Sequence, residues 1–254
     1  MPGDIYARTG EFFERAICHF TGATNAQEIS VLDFGCGGGG LVRDFIRRGY
    51  HAYGCDLGHS LPDIGENDAL TTRLMAIDTR PYRLPFRDGS FDVVVSTSVL
   101  EHVSDKRKAF EEIHRVLKPT GVAMHVFPSK WYLPCEPHLR VPLANVFWPR
   151  IPVWWFGLWA LLGMRNAFQR GLSWKETRDR NVTYARSGIT YWPLQRYRRL
   201  SLEVFGGFAC PMRFFLNHQH GGSAALYRLF PVKRVVAAIL GAIRNIFIIQ
   251  LKKG

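Results

Sequence analysis

Three aspartates beside a run of glycines are the side chains best placed to do chemistry in this 254-residue sequence. Asp33 lies in VLDFGCGGGG (31–40), Asp56 in GCDLG (54–58) and Asp78 in AIDT (76–79). A glycine-rich turn lets backbone approach a ligand closely, and a helix that starts at its end presents unpaired N–H groups there. Gly35, Gly37 and Gly40 fit the G-x-G-x-x-G spacing of a dinucleotide site, with Asp56 about 20 residues further on, where a ribose-binding acid belongs. Asp33 argues for another ligand. A carboxylate just ahead of the first glycine repels a pyrophosphate but attracts an ammonium or sulfonium group. On spacing alone both ligands stay open.

The elements that must position these acids follow from hydrophobic patterning. Phe12, Phe13, Ala16, Ile17 and Phe20 recur at helical spacing over 10–20, and Gly22 ends the run. The expected order after that is strand 29–34, helix 41–48, strand 50–55, strand 74–77, strand 91–96, helix 106–117 and strand 122–127; 61–69 shows no clear pattern. The fourth strand is an unbroken β-branched run, as when both faces of a sheet are covered. Alternating strands and helices imply a parallel, doubly wound sheet. All three aspartates then fall at strand ends on its carboxyl edge, where such sheets bind ligands.

Composition narrows the setting. At 47% hydrophobic the chain has ample material for one α/β domain. Cys18, Cys36, Cys55, Cys135 and Cys210 are scattered without C-x-x-C pairs, which predicts neither disulfides nor zinc and fits a reducing cytoplasm. Acids at Asp4, Glu11 and Glu14 argue against a signal peptide. The net charge of +12 is uneven: 165–254 holds 16 Lys/Arg against 3 Asp/Glu. That excess is a solvated face or an attraction to an anionic partner; no nucleic-acid motif accompanies it, so nucleic acid is not expected.

Residues 31–127, about two fifths of the chain, resemble the class I S-adenosylmethionine-dependent methyltransferases, in particular the type 11 group that includes the ubiquinone- and menaquinone-biosynthesis enzymes. VLDFGCGGGG is similar to the first motif and GCDLG to the second. AIDTRPYRLPFRDGSFDVVVSTSVLEHV (76–103) is similar to the third and fourth, and EEIHRVLKPTGVAMHVFPS (111–129) to the helix and strand that follow. The resemblance implies a Rossmann-like α/β fold with a seven-stranded, mostly parallel sheet. A C-terminal antiparallel hairpin would come from 209–216 and 245–252. It implies S-adenosyl-L-methionine as cofactor, its methionine portion held by Asp33, Gly35, Gly37 and Gly39 and its ribose hydroxyls by Asp56. The adenine amino group would meet Asp78 beside Thr79, with Leu57 on the base, and Ser96 and Thr97 would line the space near the sulfonium.

Methyl transfer is an in-line displacement that demands no catalytic side chain, but an oxygen acceptor must lose its proton. His102, after strand four, and His138 with Glu136, in an E-P-H run, are the candidate bases; each also has a purely structural reading, as loop cap or lid support. No metal is expected, since Ser98 stands where some quinone O-methyltransferases of the resembling group carry the acid of an ion site beside the pair matching Glu101 and His102.

The whole chain, 1–254, reads as one domain: a cofactor-binding core (1–127), an insertion acting as substrate lid (128–188), and C-terminal helices with the hairpin (189–254). In the insertion, 151–164 contains no charge, includes Trp154, Trp155 and Trp159, and is followed by Arg165, Arg170, Lys175, Arg178 and Arg180. It is too short to span a bilayer of roughly 20-residue thickness, so 151–180 is either a packed lid or a peripheral contact with an anionic membrane. The apolar tail 235–251 reads as a helix ending near Arg244 followed by a strand, in preference to a membrane span. The expected activity is methylation of a small-molecule or lipid-linked acceptor, at oxygen, in the cytoplasm. The competing readings are an NAD(P)-dependent oxidoreductase and a non-catalytic membrane-docking protein of the same fold.

Overall fold

The computed structural model describes residues 2–63 and 68–253; part of the patternless stretch 61–69 lies outside them. The elements in order are α1 (Pro2–Thr21), β1 (Ser30–Phe34), α2 (Gly40–Arg47), β2 (His51–Asp56), β3 (Leu74–Ala76), β4 (Asp78–Thr79), β5 (Tyr82–Arg83), β6 (Phe91–Thr97), α3 (Lys106–Val116) and β7 (Leu117–Pro128). The insertion supplies α4 (Ala144–Phe147), α5 (Val153–Leu161) and α6 (Trp174–Ser187). The chain continues through α7 (Leu194–Phe205), β8 (Gly206–Ala209), α8 (Met212–His218), α9 (Gly222–Leu229), α10 (Lys233–Ile243) and β9 (Asn245–Lys252).

Seven strands form one sheet in the order β3-β2-β1-β6-β7-β9-β8. Pairings from β3 through β7 are parallel, whereas β9 runs antiparallel to both β7 and β8. This is the doubly wound sheet with an antiparallel C-terminal strand that the sequence implied. Val31, Leu32, Val93, Val94, Val95, Ala123, Met124 and Ile248 are buried in its centre, which explains why these strands are unbroken apolar runs. The order reverses between β1 and β6, so the crevice above their carboxyl ends is the place where a ligand fits.

Two elements depart most from expectation. The helix expected over 10–20 begins at Pro2; its first turns are anchored on α2, where the Tyr6 ring covers Gly40 and Arg48 donates to the Ala7 carbonyl. The strand expected over 209–216 is wrong for most of its length. The strand is the earlier Gly206–Ala209, and Met212–His218 is helical, burying Met212, Phe215 and Leu216 at the i, i+3, i+4 spacing of one helix face. A short apolar run fits either period, and the helix start at Pro211 decides it.

The insertion has a small core of its own, Leu139, Val141, Ala144, Phe156 and Ala185, with Trp155 and Trp159 packed against it. Its end is tied back to the sheet: Thr190 N–H donates to the Glu101 carbonyl, and the buried Lys106 ammonium donates to the carbonyls of Val103 and Thr190. The tail forms α10 and then β9, and no helix among the described residues is long and apolar enough to cross a membrane.

Candidate functional site

β1 delivers Asp33 to the carboxyl edge, and the chain then turns through Gly35 at φ 81° and Gly37 at φ 48° before α2 begins behind Gly39, itself at φ 73°. A side chain at Gly35 would strike Val99, which lies 2.3 Å from an ideal Cβ. At Gly37 the same direction is open, so its left-handed backbone faces free space. Asp56, ending β2, locks this turn: one carboxylate oxygen accepts from Gly37 N–H at 2.8 Å and the other from Leu57 N–H at 2.6 Å. Each oxygen keeps a lone pair for a ligand hydroxyl.

Asp33 is only 4% exposed. Burial, and then the charge of Asp56, push its carboxyl up to about 7, and no cation among the described residues offsets either effect. In front of the turn lies a cavity of about 480 Å³ lined by Gly35, Asp56, Leu57, Thr79 and His102, with Ile77, Tyr82, Val99 and Val103 as apolar wall. The residues present fit a ligand with one cationic group, a diol and a flat apolar base.

On the far side His102 meets the insertion. Its Nδ1 lies 2.6 Å from the Gly188 carbonyl, which can only accept, so Nδ1 carries the proton. Its Nε2 lies 3.2 Å from Nε2 of His138. His138 Nδ1 donates in turn to Glu136 at 2.8 Å. Glu136 is buried and also accepts from the Leu139 N–H and, at 2.6 Å, from the Tyr191 hydroxyl. Beneath His138, 3.6 Å from its Nε2, is Glu101, fully buried with neither carboxyl oxygen hydrogen-bonded. Burial pushes Glu101 up to about 7 and pulls His102 below the usual histidine range. Burial also opposes charging His138, but the hydrogen bond and charge of Glu136, together with Glu101, prevail and raise it. The two Nε2 atoms face one another, and of the two rings His138 is the more basic. Ligand atoms of Glu101, His102 and His138 lie within 4.8 Å of one another, close enough for a single cation.

The residues singled out in the sequence are not all together. Thr79, Leu57, Gly35, Asp56 and His102 share the cavity, and Asp33, Gly37 and Gly39 frame the turn behind it. Asp78 does not end β3, which stops at Ala76; it is exposed in the separate β4–β5 ribbon and does not line the cavity. Ser96 is a correction as well. Side chains alternate along a strand, and this one points into the core, where its hydroxyl meets His125 Nδ1 at 2.7 Å in a chain that continues through Gln250 to Ser201. Thr97, its neighbour, is exposed at the end of β6. Tyr82, Tyr191 and the role of Glu101 escaped sequence reading. Glu101 was signalled by adjacency to His102, whereas Tyr191 lies 55 residues from the carboxylate it serves and left no signal.

Residues 32–125 match the family described as a methyltransferase domain. A ubiquinone biosynthesis O-methyltransferase of Pseudomonas aeruginosa is 34% identical over 36% of this chain and 40% of its own length. A sterol 24-C-methyltransferase of Gibberella zeae is 32% identical over 44% of this chain and 32% of its own. The chain thus spans well under half the length of these curated relatives. An S-adenosylmethionine-dependent methyltransferase structure from Mesorhizobium loti shares the fold with TM-score 0.51, 15% identity, and coverage of 92% of this chain and 95% of that one.

Proposed function

We infer that this chain, whose residues 32–125 form a class I S-adenosylmethionine-dependent methyltransferase core, transfers a methyl group to a small-molecule or lipid-linked acceptor, at oxygen. The observation that carries the reading is Asp33: a buried carboxylate with no cation beside it among the described residues, next to a positive-φ glycine turn that is open at Gly37. S-Adenosylmethionine supplies an electrophilic methyl group on a positively charged sulfur. Asp33 attracts its ammonium, the Gly35–Gly39 backbone approaches the methionine portion, and Asp56 accepts from the ribose hydroxyls while holding Gly37 in place. Leu57, Ile77, Thr79 and Tyr82 enclose the base and exclude water from it. The amino group of that base falls to Thr79 and its neighbours on this reading, not to Asp78.

Deprotonation of an acceptor hydroxyl falls to the histidine pair. When both rings are neutral, each Nδ1–H is committed to its acceptor and the two Nε2 atoms face one another; His102, which lines the cavity, takes the acceptor's proton and hands it to His138. The proton taken from the acceptor ends on His138, the more basic ring, where Glu136 and Glu101 stabilise it. The 151–180 segment, with Trp154, Leu158 and Leu161 exposed on α5, brings the lid to an anionic membrane when the acceptor is lipid-linked.

Calorimetric titration separates the readings. Saturable binding of S-adenosylmethionine, lost in Asp33→Ala and weakened in Asp56→Ala, is expected; NADH binding in its place would make the chain an oxidoreductase. Isotopic methyl label, followed by untargeted mass spectrometry of cells with and without the protein, identifies the acceptor and the atom methylated.

A further inference from the structure

The end of the chain is chemically one-sided. No aspartate or glutamate follows Glu203, whereas seven lysines and arginines do. Within this region α10, KRVVAAILGAI, has no polar side chain after Arg234. A helix that is apolar all round belongs inside a protein. α10 buries one side only, through Ala237, Leu240 and Gly241, while Val235 and Ile239, one turn apart, are each more than half exposed. Leu226, Leu229, Phe230 and Val232, on α9 and the turn into α10, add to the same exposed run, with Leu229 at 79%. Next to it a groove of about 700 Å³ runs between α8 and α10 over Met212 and Ile246; Lys130, Arg213 and Arg234 edge it, and no acid is in its lining.

The geometry points to the α9–α10 face as a docking surface for an anionic phospholipid bilayer, independent of the methyl-transfer site and of 151–180. The exposed apolar side chains of 226–239 enter the boundary between headgroups and acyl chains, and Arg213, Arg234 and Lys130 meet lipid phosphates. Charge complementarity selects this occupant. A second copy of the chain would bring the same cations face to face, since a two-fold interface apposes a patch to itself. α10, with 11 residues, is too short to cross the bilayer and therefore lies on it.

Sedimentation with sucrose-loaded vesicles tests this, using phosphatidylcholine alone and an equal mixture with phosphatidylglycerol. The full chain is expected to bind the mixture roughly tenfold more tightly or better, with the preference fading as salt rises. Leu229→Ser/Val235→Ser/Ile239→Ser lowers binding roughly tenfold. Arg213→Glu/Arg234→Glu removes the preference for the anionic mixture, and these exposed charge changes leave the fold intact should the triple variant lose it. Trp154→Ser/Leu158→Ser/Leu161→Ser leaves the preference in place. Equal or absent binding of the full chain to both vesicles overturns the proposal. So does binding abolished by the α5 variant but not by those in α8–α10, or a concentration-dependent dimer that ignores vesicles.

Discussion

Asp33 and Asp56 stand at the carboxyl ends of adjacent parallel strands, and the charge of Asp56 raises the proton affinity of Asp33 beyond what burial alone imposes. Asp56 keeps its place by accepting two backbone N–H groups, so the pair divides the work: one carboxylate shapes the turn and the other waits for a cation. A cationic ligand reverses the balance at Asp33, because an opposite charge within a few ångströms favours the ionised form.

Binding of S-adenosylmethionine is therefore expected to release a proton. With Asp33 titrating at about 7, calorimetry at pH 7 in buffers of different ionisation enthalpy is expected to show a fractional proton lost on binding, vanishing above pH 8.5 or so. Asp33→Asn abolishes the release and weakens binding roughly 10- to 100-fold, the range for a charge-assisted hydrogen bond. Buffer-independent enthalpy in the unsubstituted protein at pH 7 would contradict this account.

The same substitution stabilises the ligand-free protein. A carboxyl raised from 3.8 to about 7 on folding leaves the folded state holding more protons than the unfolded one between those values, so stability falls as pH rises through that window and stays reduced above it. Relief at pH 8 amounts to about 4 kcal/mol at most, at 1.36 kcal/mol per pH unit. Urea unfolding at pH 8 and pH 4 measures it: Asp33→Asn should be the more stable protein at pH 8 and nearly equal at pH 4.

Ser96 gives a third test. Its hydroxyl is inside the sheet, with His125, which burial keeps neutral down to about 4. Ser96→Ala should leave kcat and the KM for S-adenosylmethionine unchanged while lowering stability by about 1 kcal/mol, the net worth of a buried hydrogen bond. A selective loss of turnover with full stability would return Ser96 to the reaction centre.

What was legible followed from local chemistry. Asp33, the glycine turn and Asp56 were readable because strand, turn and helix are consecutive, and periodicity places a strand-end acid on the carboxyl edge without knowledge of the rest. Ser96 failed for a reason equally local: whether a residue at a strand's last turn faces the cavity or the core depends on a parity that β6 settles by running on to Thr97. Asp78 failed because β3 stops two residues before it. The 209–216 segment misled because ACPMRFFL fits both a strand and a helix. The histidine pair was visible only as two separate candidates; their contact needs the insertion to fold over the end of β6, and the strap from Gly188 to Tyr191 that holds it there has no sequence signature.

On the proposed reaction, that contact is expected to set the pH dependence of turnover. The groups facing His138 are Glu136, Glu101, His102 and the Tyr184 ring, and the carboxylates make it the more basic histidine. An oxygen acceptor can be deprotonated only when the pair is neutral, so kcat/KM should fall on the acid side through an apparent pKa above the ordinary histidine value of about 6.5. Glu136→Gln removes the hydrogen-bonded charge that raises His138, and burial, which lowers it, then prevails. The acid limb should therefore move down, below the ordinary value, rather than merely scale in height. His138→Ala should cut kcat roughly 10²- to 10⁴-fold at pH 8, the usual contribution of a general base, while the dissociation constant for S-adenosylmethionine stays within about twofold. A purely structural role for the pair would lower stability and leave the limb where it was, so the position of the limb in Glu136→Gln, measured beside thermal unfolding, decides between proton transfer and lid support.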